Sequence, residues 1–353
     1  MTSTSPRVLI LHAYSADNAG DGLLVRETLD LIEQALGAAD VTLLASRPES
    51  FSFLGVRTLP TVPTLRGWNP QTLRVLRSMD QFDLVVGVGG GYLRAGTVME
   101  AAKSILVMGP QLRAAAATSA PTIYLPQSIG PLRFGVRNPV QRHLARVDAV
   151  MLRDSRSMAE VGGPTTQRVP DLATAAVARG RRPTAEISPR PVLSIRAVRG
   201  RINSAIYDLA GRMAPYDGYV QSTVGGNDDR PAMSTLTPLR YLARTELMGS
   251  AVPVRVVVAV RLHAALMALA AGHYVVHLAY ERKGFGAFED LGLSEWVHPV
   301  NGFDVDNVND QVRALTEGAE MRARYDVAIG QAAASIEAAR ADIVRQMRAL
   351  TSR

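Results

Sequence analysis

The 353-residue sequence contains no cysteine. That absence removes disulfides, thiol nucleophiles, thiolate zinc sites and iron–sulfur clusters together. Aromatic side chains are scarce at 5%, and no apolar run approaches the roughly 18 residues that a membrane span needs. The first apolar run, Val8–Leu11, is too short for the core of a secretory leader. It reads as a buried strand, with the cytoplasm as the expected location. No H-E-x-x-H is present and no two histidines share a ligand-like spacing with carboxylates, so no metal site is expected. Neither G-x-G-x-x-G nor a Walker A sequence occurs. Lysine is almost missing too: of 39 cationic side chains, all but Lys103 and Lys283 are arginine. A drift toward arginine codons accounts for the bias itself. Against it, a retained lysine marks a position suited to a compact ammonium instead of a planar fork.

What is present describes a folded protein of two domains. The chain is 47% hydrophobic and 20% charged, and its length exceeds what one core usually supports. The net charge of +7 comes from cations that are scattered, not gathered in runs or interleaved with aromatics. A nucleic-acid partner is therefore not expected, and a small anionic substrate is. Short apolar runs alternate with helical spacing: Val8–His12, Val41–Ala45, Leu84–Val88, Thr122–Leu125 and Ala149–Leu152, then Val192–Ile195, Gly218–Gln221, Val254–Val260 and Tyr274–Ala279. Helices are expected between them, including Val98–Ala117 and Leu236–Leu247, with two more in the Ala- and Arg-rich tail from Val305 to Ala349. This alternation predicts an α/β protein of two Rossmann-like domains facing each other across a cleft. The expected division is an N-terminal domain over 1–180, a linker over 181–191 where cations mix with prolines, a C-terminal domain over 192–320 and a closing helix over 321–353.

In open α/β sheets ligands bind beyond the carboxyl ends of the strands, so candidate site residues are those that follow each apolar run. After the first come Asn18 and Asp21 in D-N-A-G-D-G, where Asp17 and Asp21 serve equally as helix caps. Gly89, Gly90 and Gly91 follow the third run, as a ligand-contacting loop or a site of close backbone packing. Gln127 and Ser128 follow the fourth, either donating to a ligand or satisfying the turn. Arg153 follows the fifth, ahead of a helix that Asp154 or Ser155 would cap. In the second half Arg196 repeats the strand-then-arginine pattern, and Arg261-Leu262-His263 follows the longest run. Of six histidines, His12 and His277 read as core, and His143, His273 and His298 as surface or helix-end residues. His263 is left as the acid–base candidate.

The ordered set N-x-G-D, G-G-G, Q-S-I-G-P, R-D-x-x-S, S-x-R, R-L-H-A and Y-x-x-K resembles the polysaccharide pyruvyltransferase family. These motifs stand at Asn18–Asp21, Gly89–Gly91, Gln127–Pro131, Arg153–Ser157, Ser194–Arg196, Arg261–Ala264 and Tyr280–Lys283. The resemblance implies a fold like that of GT-B glycosyltransferases. It implies transfer of pyruvate from phosphoenolpyruvate to two hydroxyls of a sugar, forming a ketal and releasing phosphate without any cofactor. The acceptor it implies is a cell-surface polysaccharide or a lipid-linked precursor, with no more than peripheral contact with the inner face of the membrane. It places catalytic roles on Arg153, His263 and Lys283. Arg261, Leu262, Arg196, Gly89–Gly91, Asn18, Asp21, Gln127 and Ser128 are left as substrate contacts. Two departures stand out: Val260 precedes Arg261 where the family favours a small residue, and Tyr219–Arg230 is only loosely like an acceptor-side loop. Two other readings compete: a GT-B glycosyltransferase using a nucleotide sugar, for which only Glu281 and Glu289 offer a carboxylate pair, and a non-catalytic binding protein on the same fold.

Overall fold

The computed structural model describes residues 5–65, 67–180, 187–223, 228–249 and 253–352. The part of the expected linker over 181–186 lies outside the described residues. The chain divides into two compact units, the first made of residues 1–172 and 339–353 and the second of residues 173–338.

The first unit carries seven parallel strands: β1 (Arg7–Ala13), β2 (Asp40–Ala45), β3 (Arg57–Pro60), β4 (Leu84–Gly87), β5 (Thr122–Gln127), β6 (Ala149–Leu152) and β7 (Thr166–Arg168). Their order is β3-β2-β1-β4-β5-β6-β7, so the winding reverses between β1 and β4. Every residue of β4 and β5 is buried, as continuous apolar runs require when helices cover both faces. Leu9, Val85 and Tyr124 pack into one core layer, and Ile10, Val86 and Ile123 into the other. The second unit holds β8 (Val192–Ser194), β9 (Asp217–Gly218), β10 (Val256–Ala259), β11 (Tyr274–Ala279) and β12 (Val297–Pro299). All pairs are parallel in the order β12-β11-β10-β8-β9, and the reversal falls between β8 and β10.

Short polar residues start the helices between strands. Asn18, Asn69, Asp154, Asn203 and Asp304 each accept from a first-turn amide. Such caps satisfy donors that no carbonyl inside the helix can reach.

Several expected elements are corrected. Val98–Ala117 is not one helix but Val98–Lys103, a π-helical turn at Ser104–Met108, and Gly109–Ala115. Pro110 has no N–H to give to the preceding turn, which accounts for the rearranged hydrogen bonding. In Leu236–Leu247 only the end is helical, at Arg244–Met248. Pro238 interrupts the run, and the backbone there bonds sideways to β9, with Gly218 N donating to Arg240 O at 2.8 Å. Gly218–Gln221 shortens to two residues, Asp217–Gly218. His273 is buried, not at the surface. The short strands β3, β7 and β12 add to the expected set, and none has a long apolar run to announce it.

The tail forms two helices, Val305–Glu317 and Ala319–Thr351, as its spacing predicts. The last turns of the second belong to the first unit, where Ile343, Val344 and Met347 join the core beside Leu24 and Ile32. Arg340 is 4% exposed and donates from Nη1 to Glu27 Oε2 at 2.9 Å. Removing one member of such a buried pair strands the other charge, whereas replacing both with apolar groups is far milder. Glu27→Ala should cost about 3–5 kcal/mol in denaturant unfolding. The double variant Glu27→Leu/Arg340→Met should recover most of that loss.

Candidate functional site

In each unit the strand order reverses once, the place where open parallel sheets offer room beyond their strand ends, and residues singled out in the sequence follow the strands beside it. In the first unit β1 leads to Asn18 and Asp21. Asn18 caps the helix Ala19–Leu36, and its Nδ2 donates to Asp21 Oδ2 at 2.8 Å. Asp17 is not a cap; it accepts from Ser15 Oγ and faces Arg47 at 3.8 Å.

β4 leads to the glycines. A Cβ on Gly89 would come within 2.8 Å of the Pro126 carbonyl oxygen, so close packing against β5 demands glycine there. Gly90 has φ +143° and its carbonyl accepts from Ser128 N at 2.7 Å. Gly91 is exposed, and a Cβ there would lie 3.7 Å from Arg153 Nη2.

Arg153, after β6, is only 5% exposed. Its Nη1 is paired with Asp171, and its Nε donates to Ser128 Oγ at 2.8 Å. Ser128 in turn donates to Asp154 Oδ2 at 2.6 Å, and Asp154 caps the next helix. The guanidinium is thereby held in one orientation by two anchored partners. Asp171 escaped the sequence reading because it lies 18 residues downstream of its partner with no motif around it.

Behind these residues is a buried polar group. His12 sits at a bulge where β1 slips register against β2, with a left-handed φ of +69°. Its N–H donates to Gln111 Oε1 at 2.9 Å, and its Nε2 shares a 2.9 Å hydrogen bond with Tyr124 OH. The ring stacks on Tyr92, with centroids 4.5 Å apart. His12 Nδ1, Tyr92 OH and both amide atoms of Gln127 are buried with no partner in hydrogen-bond geometry. Tyr92 OH and the Gln127 amide are nonetheless near enough for the amide to offset part of the burial effect that raises the phenol's pKa.

In the second unit Arg196 follows β8 and Arg261 follows β10, the two strands that flank the reversal. Arg261 grips Asp229 through two nitrogens of its fork, Nε to Oδ2 at 2.6 Å and Nη2 to Oδ1 at 2.7 Å. Asp229 is 2% exposed, and desolvation pushes its pKa up, opposed by Arg261 and more weakly by Arg196. Arg196 donates to Tyr280 OH at 3.1 Å and lies over that ring. His263 is half-buried in the first turn of the helix Leu262–Ala270. Leu262 is buried in the core, which leaves its backbone amide at the helix start as the group it can offer a ligand. Lys283 Nζ stands 2.7 Å from Glu281 Oε2. A Cβ on the next residue, Gly284, would meet His277 Nε2 at 2.5 Å, so this helix approaches β11 only because it carries glycine there.

Arg261 and Lys283 are thus paired within the unit, and no group of three His, Asp or Glu able to hold a metal occurs among the described residues. Asp229 was missed in the sequence because its segment shows no periodicity. Part of the loosely matched Tyr219–Arg230 stretch, residues 224–227, lies outside the described residues.

Comparison with solved structures defines the class first. The chain is similar to a putative UDP-N-acetylglucosamine 2-epimerase from Listeria monocytogenes, at 13% identity and TM-score 0.53, covering 95% of this chain and 96% of that one. It is similar to a spinosyn forosaminyltransferase at 12% identity and TM-score 0.53, covering 99% and 100%. An α-glucosyltransferase solved with UDP and DNA matches at 12% identity and TM-score 0.55, again covering 99% and 100%. The fold is therefore the α/β fold with two parallel sheets shared by GT-B glycosyltransferases and these epimerases. The family model for polysaccharide pyruvyl transferase matches residues 18–282, and the chain belongs to that family of enzymes that transfer pyruvyl groups to polysaccharide. Lys283 falls just past the matched span. No curated protein matches the chain significantly.

Two buried imidazoles generate a pH prediction. Burial lowers the pKa of His12 to about 3 and that of His277 to about 4, so both are neutral in the folded protein at pH 7. Below about pH 6.5 the unfolded chain takes up protons that the folded chain refuses, so their stabilising contribution is present above that pH and lost as pH falls. Unfolding free energy should decline by up to about 1.4 kcal/mol per pH unit for each imidazole until the folded form titrates. Denaturant titrations between neutral and mildly acidic pH should show a shallower slope in His12→Asn/His277→Gln.

Proposed function

We propose that this protein transfers the enolpyruvyl carbon skeleton of phosphoenolpyruvate to two hydroxyls of a sugar, in a polysaccharide or its lipid-linked precursor, giving a pyruvate ketal and inorganic phosphate. The observation that carries the reading is the pair Arg196 and Arg261 just past the ends of the two strands that flank the reversal in the second unit, with His263 two residues beyond Arg261. Phosphoenolpyruvate presents a phosphate and a carboxylate close together, and planar guanidinium forks suit both. Asp229 fixes the plane of Arg261, so the direction of the fork is set before an anion arrives.

The chemistry follows from the charges. Protonation of the enol CH₂ carbon makes the adjacent carbon an oxocarbenium-like centre, which the first sugar hydroxyl attacks as it gives up its proton. Loss of phosphate regenerates an electrophile for the second hydroxyl, and the ketal closes. His263 is assigned the proton transfers and Lys283 the charge of the departing phosphate, exchanging its contact with Glu281 for the substrate. Arg153, in the first unit, is assigned a further anion contact through the Nη2 edge that faces Gly91. No metal, thiol or organic cofactor enters this scheme, and the supply of phosphoenolpyruvate places it in the cytoplasm.

Phosphate should be released from phosphoenolpyruvate only when a sugar acceptor is supplied, with a matching mass gain on the acceptor. His263→Ala should lower kcat by roughly 10²–10⁴-fold with little change in the binding of phosphoenolpyruvate. Near-normal turnover in that variant would remove His263 from the proton transfers. Calorimetric binding of a nucleotide sugar with none of phosphoenolpyruvate would replace the whole reading with that of a glycosyltransferase.

A further inference from the structure

Two aromatic rings stand exposed among the described residues of the second unit, Tyr207 at 42% and Tyr241 at 48%. They come from different elements, the helix Ser204–Met213 and the segment that pairs with Gly218 of β9. Both direct their hydroxyls at one turn. Tyr241 OH donates to Met233 O at 2.9 Å, and Tyr207 OH donates to Thr235 Oγ1 at 3.1 Å. Thr235 Oγ1 donates in turn to Ala232 O at 2.8 Å. Each phenol is thereby satisfied from within the protein, which fixes its ring and leaves part of the ring surface to water. The segment carrying Tyr241 is itself pinned: Gly218 N donates to Arg240 O and Leu242 N to Gly218 O, both at 2.8 Å.

This turn is built onto the candidate site. It closes the helix Arg230–Met233, and the residue before that helix, Asp229, grips Arg261. Met233 N donates to Asp229 O at 2.9 Å, and Met233 Sδ accepts at 3.3 Å from the amide of Ile195, the residue before Arg196. The charges beside the rings are already paired. Arg230 donates to Asp228 at 2.6 Å, Arg240 to Glu246 at 2.7 Å and Arg212 to Asp208 at 3.0 Å. Fixed ring faces among neutralised pairs suit a neutral saccharide better than a polyanion. The C–H face of a sugar lies against the electron-rich face of an aromatic ring, and a tyrosine with two torsions loses little entropy there. Two rings under half exposed offer on the order of 200 Å², well short of the roughly 800 Å² per partner of a stable dimer.

We propose that Tyr207 and Tyr241 form a saccharide-binding platform beside Arg196 and Arg261, stacking on sugar rings of the acceptor next to the one that reacts. Membership of a family that acts on polysaccharide supplies such an acceptor. The platform places the acceptor of the pyruvyl-transfer reading and rests on that reading for its purpose. Its binding is tested without phosphoenolpyruvate, so failure of the donor chemistry and failure of the platform are separate results.

The test is affinity electrophoresis of the full chain in native gels containing the producing organism's surface polysaccharide, freed of pyruvate by mild acid. The parent should be retarded in proportion to the polysaccharide added. Tyr207→Ala and Tyr241→Ala should each weaken the apparent affinity about tenfold. Tyr207→Phe and Tyr241→Phe keep the ring and lose only its tether, and should stay within about threefold of the parent. On the parent itself, the same polysaccharide should slow nitration of Tyr207 and Tyr241 by tetranitromethane, mapped by mass spectrometry. Absence of retardation of the parent, undiminished retardation of both alanine variants, or equal loss in the phenylalanine and alanine variants overturns the proposal. So does nitration that the polysaccharide leaves unslowed at both rings. A parent dimer in sedimentation that Tyr241→Ala disperses overturns it too, and would assign the face to a second copy.

Discussion

The parallel direction of every strand is the constraint on which the rest depends. Because all strands of a sheet run the same way, each one delivers its following residues to the same edge. Where strand order reverses, neighbouring loops diverge and leave room beside the backbone. The reversal lies between β1 and β4 in the first unit and between β8 and β10 in the second. Asn18 and Gly89–Gly91 flank one, and Arg196 and Arg261 flank the other. Residues far apart in the chain meet there because of hydrogen-bond direction, not because of their own affinity for each other.

The two units hold their cations differently. Arg153 is sunk into the first unit and fixed by Asp171 and Ser128, so little of its charge faces water. In the second unit Arg261 is gripped by Asp229 at two nitrogens of its fork, while Lys283 meets Glu281 through its single ammonium. A guanidinium held at both Nε and Nη2 keeps its direction because the fork is rigid and planar. The ammonium of Lys283 has no such fixed edges and can exchange one oxygen for another. That difference gives physical content to the scarcity of lysine in the chain.

Much of the fold was legible because strands buried on both faces need unbroken apolar runs. Leu84–Gly87 is such a run, and Tyr274–Ala279 is interrupted only by His277, whose Nδ1 is satisfied by Ala259 O at 2.8 Å. Edge strands such as β3 and β7 are short and partly exposed, so they carry no such run. The region Leu236–Leu247 has helical spacing, yet Pro238 and sideways bonding to β9 override it. Local pattern fails there because the winning interactions come from residues distant in sequence.

By itself the sequence determined which residues end the strands, that no thiol enters the chemistry, and that the site motifs follow in a family order. It could do so because strand ends, glycines and missing residue types are local properties of a chain. Only the tertiary structure decided the partners. Asp229 and Asp171 became visible as anchors of Arg261 and Arg153, and Leu262 turned into the core. Pairing and exposure depend on where the chain returns after tens of residues, and no local spacing carries that information.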